Sequence, residues 1–234
     1  MFYDLHIHSC LSPCAEDEMT PNNICNMAVL KGLELIAVTD HNSCMQQPSI
    51  SEAADKAGLK ALFGAELQTS EEVHILGLFA KLEDCMMLQK WIDTVLPVIP
   101  NDTGYFGKEE IRSGADDELI GIENRLLLVS LQASLEETVD KIHECNGRAV
   151  LAHVLDRENS IINQLGFIPQ NLNIDGLEVK NDEQKKEILQ MHPWMNEKDE
   201  NWFTDSDAHR LIDINEAQHS IEISLYQELW GNAL

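Results

Sequence analysis

Leu33-Glu-Leu-Ile-Ala-Val-Thr-Asp-His-Asn42 is an apolar run that ends abruptly on polar, chemically active residues. An apolar stretch of this length, without polar alternation, suits a strand buried on both faces of a parallel sheet. The flanking sequence repeats the pattern. Upstream, Phe2–His8 is β-rich, and Thr20-Pro21 opens a helix to about Lys31, with Thr20 as N-cap, Pro21 in the first turn and Gly32 as terminator. Downstream come a short helix over Ser51–Ala57 closed by Gly58, a strand over Lys60–Leu67, another over His74–Phe79, and a helix from about Glu83 to Val95.

Residues 97–125 interrupt this rhythm with two prolines and four glycines, and alternation around Glu110–Arg112 and Leu119–Ile122 predicts a β-hairpin insertion on the surface, with a lid as the alternative. The rhythm then resumes. Arg125–Leu131 reads as a strand, and Ser134-Leu-Glu-Glu137 is a capping box for a helix to about Cys145. Arg148–Val154 and Gly176–Lys180 read as strands, Asn181 or Asp182 caps a helix to about Met191, Asn201–Ser206 is a last strand, and a short helix follows Ser224. Such alternation predicts a single α/β domain with a mainly parallel sheet, and the number of units favours a barrel.

The chain has 234 residues, with 16 Lys+Arg against 41 Asp+Glu, a formal charge of −25. That excess argues against non-specific nucleic-acid binding and against a polybasic membrane anchor. No stretch approaches the ~18 apolar residues of a membrane span, and Met1–His6 does not read as a signal peptide. A cytoplasmic location is expected, with the six cysteines reduced. Cys10 and Cys14 frame a turn beside a histidine pair; burial as free thiols is the expectation there, a redox or metal role the alternative.

Five of the nine histidines (His6, His8, His41, His153 and His209) fall in, at the end of, or just after predicted strands. In parallel α/β folds that edge gathers catalytic groups. His6-Ile7-His8 puts two imidazoles on one face of a strand, and Asp207-Ala208-His209 pairs a carboxylate with an imidazole at the same spacing. Glu66 ends one strand and can bridge two cations, while His74 begins the next. A mixed imidazole and carboxylate set suits Zn, Mn or Fe. Asp40 either orients an imidazole or caps the following turn.

Taken together, DLHIHS (4–9), TDHN (39–42), GAE (64–66), AH (152–153) and SDAH (206–209) resemble the PHP family, the polymerase and histidinol phosphatase domain, and its small stand-alone bacterial members described as metal-dependent phosphoesterases. The resemblance implies a distorted, TIM-like (β/α)7 barrel and a centre of two or three divalent ions. His6, His8, Glu66 and Asp207 would hold the first ion, and Glu66 would bridge to a second held by His74 and His153. His41 and His209 would hold a third, joined by a residue that is His or Asp in relatives. Counting back from Pro21 puts Glu16 there, with Asp17 and Glu18 beside it and a solvated acidic loop as the alternative. The ions would turn a bridging water into hydroxide for in-line attack on a small phosphate ester. Asp207 would take a proton and His209 or His41 would give one to the leaving group. Arg157, Lys180 and Arg210 are the candidate phosphate contacts, each with a surface ion pair as its alternative. Two other functions stay open: an amidohydrolase-like C–N hydrolase, for which Lys180 is the lysine that could be carboxylated, and a non-catalytic metal or effector binder.

Overall fold

The structure is a computed structural model that describes residues 1–156, 158–197 and 201–231, with backbone alone at 196 and 197. Seven strands form one curled sheet: β1 (Tyr3–Ile7), β2 (Leu35–Val38), β3 (Lys60–Gln68), β4 (His74–Phe79), β7 (Arg148–Leu151), β8 (Gly176–Glu178) and β9 (Asn201–Phe203), in that spatial order. Strands β5 (Glu110–Arg112) and β6 (Leu119–Ile122) form a separate antiparallel hairpin within residues 97–125.

The helices are α1 (Pro21–Leu30), α2 (Gln47–Ala57), α3 (Leu82–Val95), α4 (Leu135–Glu144), α5 (Ile161–Leu165), α6 (Asp182–Met191) and α7 (Ile223–Trp230). Their ends follow local chemistry. Thr20 precedes α1 in extended conformation with Pro21 in the first turn, and α2 stops on Gly58 in the left-handed region. Before α4, the Ser134 hydroxyl accepts from the Glu137 backbone N–H while the Glu137 carboxylate accepts from that of Ser134. Inward faces of α3 and α4 (Cys85, Leu88, Ile92, Val139 and Ile142) pack with β3, β4 and β7 in the largest buried apolar cluster.

Two features depart from a parallel closed barrel. Strand β4 runs antiparallel to both of its neighbours, β3 and β7. Only residues 69–73 separate β3 from β4, whereas a parallel crossover needs about a dozen or more. Nor, among the described residues, does a ladder join β9 to β1: the sheet's ends meet there through one parallel bridge, between Ile7 and Ala208. The sheet is therefore curled, without a continuous closing strand pair.

The predicted strand at Arg125–Leu131 does not form. Its backbone is bound by side chains and by isolated backbone contacts, Leu126 N–H to the Ile99 carbonyl and Leu131 N–H to that of Gln68. Leu127 N–H donates to Glu109, and the Asn42 amide donates to the carbonyls of Leu127 and Val129. Burying Leu126, Leu127 and Leu131 uses the same apolar residues a strand would have used. Among the described residues no helix is long and apolar enough to cross a membrane.

The reversal of β4 matters for the site. It brings the first residue of β4, His74, to the edge where the parallel strands end, opposite Gln68 of β3. His8 follows β1, His41 lies three residues beyond β2, His153 two beyond β7, and Asp207 four beyond β9.

Candidate metal centre

Glu66 is the hub. It lies inside β3, almost fully buried, and its two carboxylate oxygens face five imidazoles. Oε1 lies 2.7 Å from His74 Nδ1, 3.0 Å from His153 Nε2 and 3.4 Å from His6 Nε2; Oε2 lies 2.9 Å from His41 Nδ1 and 3.5 Å from His8 Nε2. Asp207 completes the arrangement, with Oδ1 3.3 Å from His6 Nε2 and 3.1 Å from His8 Nε2. His209 stacks on His8 with ring centroids 4.3 Å apart.

Burial alone would make Glu66 a weaker acid, but His74, His6 and His41 outweigh it and hold the carboxyl well below its usual range. Burial likewise opposes charge on His6, yet Asp207, Glu178 and Glu66 raise its pKa well above the ordinary value. For His8, burial and the neighbouring His41 and His209 win, and its pKa falls to about 3. Asp207 is held below the usual carboxylate range by His6 and His8 against the pull of burial.

Cations fit this arrangement for a specific reason. His74 Nε2 and His153 Nδ1 are buried polar atoms without a hydrogen-bond partner, a costly condition that a bound ion relieves. Three groupings bring donor atoms within reach of one ion: His6 with His8 and Glu66, His41 with Glu66 and His74, and His8 with His41 and His209. The backbone also bends to serve the site. His153 and Asp207 hold positive φ, 30° and 52°, a conformation that costs non-glycine residues about 1 kcal/mol or more and that gathers at functional sites.

A layer of polar contacts orients the rings. Glu178 Oε2 lies 2.9 Å from His6 Nδ1. His8 Nδ1 meets the Ser12 hydroxyl at 3.0 Å, and Ser12 in turn donates to buried Asp40, which also accepts from the Ser9 hydroxyl and backbone. Asp40 thus orients an imidazole through Ser12. Sequence reasoning missed Glu178; its placement in β8, directly after the apolar Gly176-Leu177, gave a signal comparable to that of Glu66.

The other expected residues divide. His41, His74, His153, Asp207 and His209 line a cavity of about 820 Å³ together with Lys180, whose Nζ pairs with Asp156 at 2.7 Å. Arg210 lies outside the cavity lining; it is exposed and holds both oxygens of Asp213. Arg157 lies outside the described residues. Glu16 is exposed and belongs to none of the three donor groupings, while its backbone N–H donates to the His209 carbonyl. Cys14 does line the cavity, exposed where burial was expected, while the other five cysteines are buried. Partial burial raises the pKa of its thiol, but hydrogen bonds with His209 and His41 outweigh this and bring it down to about 7.

A curled α/β sheet with imidazoles and carboxylates converging at one edge defines a protein with clustered donor groups that could hold metal. The sequence model of the PHP domain matches residues 4–159, and the chain belongs to that family. It is 27% identical to an uncharacterized protein of Methanocaldococcus jannaschii over 188 residues, 76% of this chain and 80% of that protein. Among solved structures, a candidate metal-dependent phosphoesterase of Bifidobacterium adolescentis superposes with a TM-score of 0.68 at 17% identity, covering 97% of this chain and 94% of that one. The lesion-specific Endonuclease Q of Pyrococcus furiosus superposes with a TM-score of 0.62 at 20% identity, covering 89% of this chain and 48% of that one. Endonuclease Q has also been solved with a DNA duplex carrying an abasic lesion at its active site. This corrects the expectation drawn from net charge: Endonuclease Q binds DNA on this fold, and a total of −25 over the whole surface does not fix the local field at one site.

Proposed function

We propose that the chain is a metal-dependent phosphoesterase that hydrolyses a phosphate ester at a di- or trinuclear centre. The observation that carries this reading is the Glu66 carboxylate, faced by five imidazoles, two of which keep buried nitrogens without partners. His6, His8, Glu66 and Asp207 would hold one ion, Glu66 with His74 and His153 a second, and His41 with His209 a third. Divalent cations of the Zn, Mn or Fe type supply an acidified water and positive charge for the phosphoryl oxygens. The chain's own groups handle protons and position. Asp207, at the cavity wall and held ionised, accepts the proton of the attacking water. In the dinuclear form, with no third ion on them, His209 and His41 would instead return a proton to the leaving oxygen, both being raised above the ordinary imidazole pKa by neighbouring groups. Lys180 reaches the same cavity and contacts phosphate by exchanging its Asp156 partner for the substrate.

The test is release of product from a panel of phosphate monoesters, phosphodiesters and oligonucleotides by chelator-stripped chain and by chain reloaded with Mn or Zn. Turnover that appears only on reloading supports the proposal. No turnover of any phosphate ester by protein with verified metal content overturns it.

A further inference from the structure

The third imidazole grouping, His8 with His41 and His209, lacks the carboxylate that accompanies the others, and the exposed Glu16 is not part of it. What stands at that place is a thiol. The chain after β1 makes a tight turn, with Ser12 N–H donating to the Ser9 carbonyl and Ala15 N–H to that of Ser12. Cys10 N–H donates to the Met19 carbonyl and closes the loop. This turn carries Cys14 to the cavity wall that His41, Asp207 and His209 share, with its sulfur hydrogen-bonded to the rings of His209 and His41. The loop is also braced from outside: Glu110 N–H donates to the Cys10 carbonyl, and Lys108 pairs with Asp17. Independently, the walls of this cavity include the nine-tenths-buried His74 and His153, each with an unpartnered ring nitrogen that a cation would satisfy.

We infer that Cys14 is a metal ligand, its thiolate completing with His41 and His209 a three-residue site that prefers zinc over manganese and leaves one position open toward the cavity. The inference rests on the metal-centre reading and sharpens it. Binding replaces the S–H bond with a sulfur–metal bond and releases the thiol proton to solvent. Open zinc sites take three protein ligands drawn from imidazole, thiolate and carboxylate, and a soft sulfur donor disfavours Mn, which prefers oxygen. The centre then has two kinds of position: a carboxylate-bridged pair around Glu66, and a sulfur-bearing position at the mouth.

The test uses full-length chain, stripped with chelator and reloaded with Co as a spectroscopic substitute for zinc, together with alkylation by iodoacetamide and peptide mapping. Cys14, the exposed thiol, is expected to be alkylated quickly in stripped protein and at least about tenfold more slowly after zinc is added, with little protection from Mn. The Co-loaded protein should show a near-ultraviolet thiolate-to-cobalt charge-transfer band that Cys14→Ser removes and Glu16→Gln leaves in place. Cys14→Ser should also bind one fewer zinc ion per chain. If wild-type protein binds cobalt with no such band, and zinc does not slow alkylation of Cys14, this inference fails while the centre around Glu66 stands. If wild-type protein binds neither metal, both readings fail.

Discussion

Glu178 stands 2.9 Å from His6 Nδ1, although the two are 172 positions apart in sequence, and turns the other ring nitrogen of His6 toward Glu66 and Asp207. A carboxylate behind an imidazole fixes its tautomer and strengthens it as a ligand. Glu178→Gln keeps the oxygen that accepts the bond and removes the charge. Metal affinity is expected to fall by about 10–100-fold without loss of fold, as read by competition with a chromophoric chelator and by circular dichroism. Unchanged affinity would mean that Glu178 serves packing alone.

Gly107 couples the 97–125 segment to the loop bearing Cys14. Its φ is 103°, and a Cβ at that position would overlap the Pro13 carbonyl oxygen. Gly107→Ala should cost at least about 1 kcal/mol in urea unfolding, from backbone strain together with displacement of Pro13. A variant as stable as wild type would show that the two segments separate freely.

The fold makes a pH-dependent contribution at Glu109. This side chain is fully buried, one oxygen accepts from Leu127 N–H, and the other has no partner. Burial, aided by the charge of Glu123, moves its pKa from 4.5 up to about 7. Between those values the folded chain holds a proton that the unfolded chain has released, so stability declines as pH rises. The contribution is complete below about 4.5 and lost above about 7, with a ceiling near ~3 kcal/mol. Glu109→Gln should flatten the fall in unfolding free energy across that window relative to wild type. Parallel curves would contradict the assignment.

Much of the fold and of the candidate site is legible in the sequence because the signals are local. The HIH spacing on β1, the apolar run ending at TDHN and the capping box at Ser134 each act within a few residues. The direction of β4 departs from the mainly parallel sheet expected, although the short link from Gln68 to His74 carries the signal for a hairpin. Other features depend on distant partners. RLLLVSL has the composition of a strand, yet Asn42 and Glu109 take its backbone groups and hold it as irregular chain. Glu16 and Cys14 are separated by a single residue, and only the turn over residues 9–15 decides which side chain reaches the cavity. Net charge misled because it is a sum over the whole surface, whereas a substrate meets only the site.

The central claim is that the Glu66 cluster binds metal ions, and counting ions tests it most directly. Chelator-stripped chain, equilibrated with zinc or manganese and freed of excess, is measured for metal per chain beside Glu66→Gln. The account predicts at least two ions bound by wild type with one of the metals, and at least one fewer in Glu66→Gln while the fold is retained. Fewer than one ion per wild-type chain with both metals, or equal content in a folded Glu66→Gln, would contradict it.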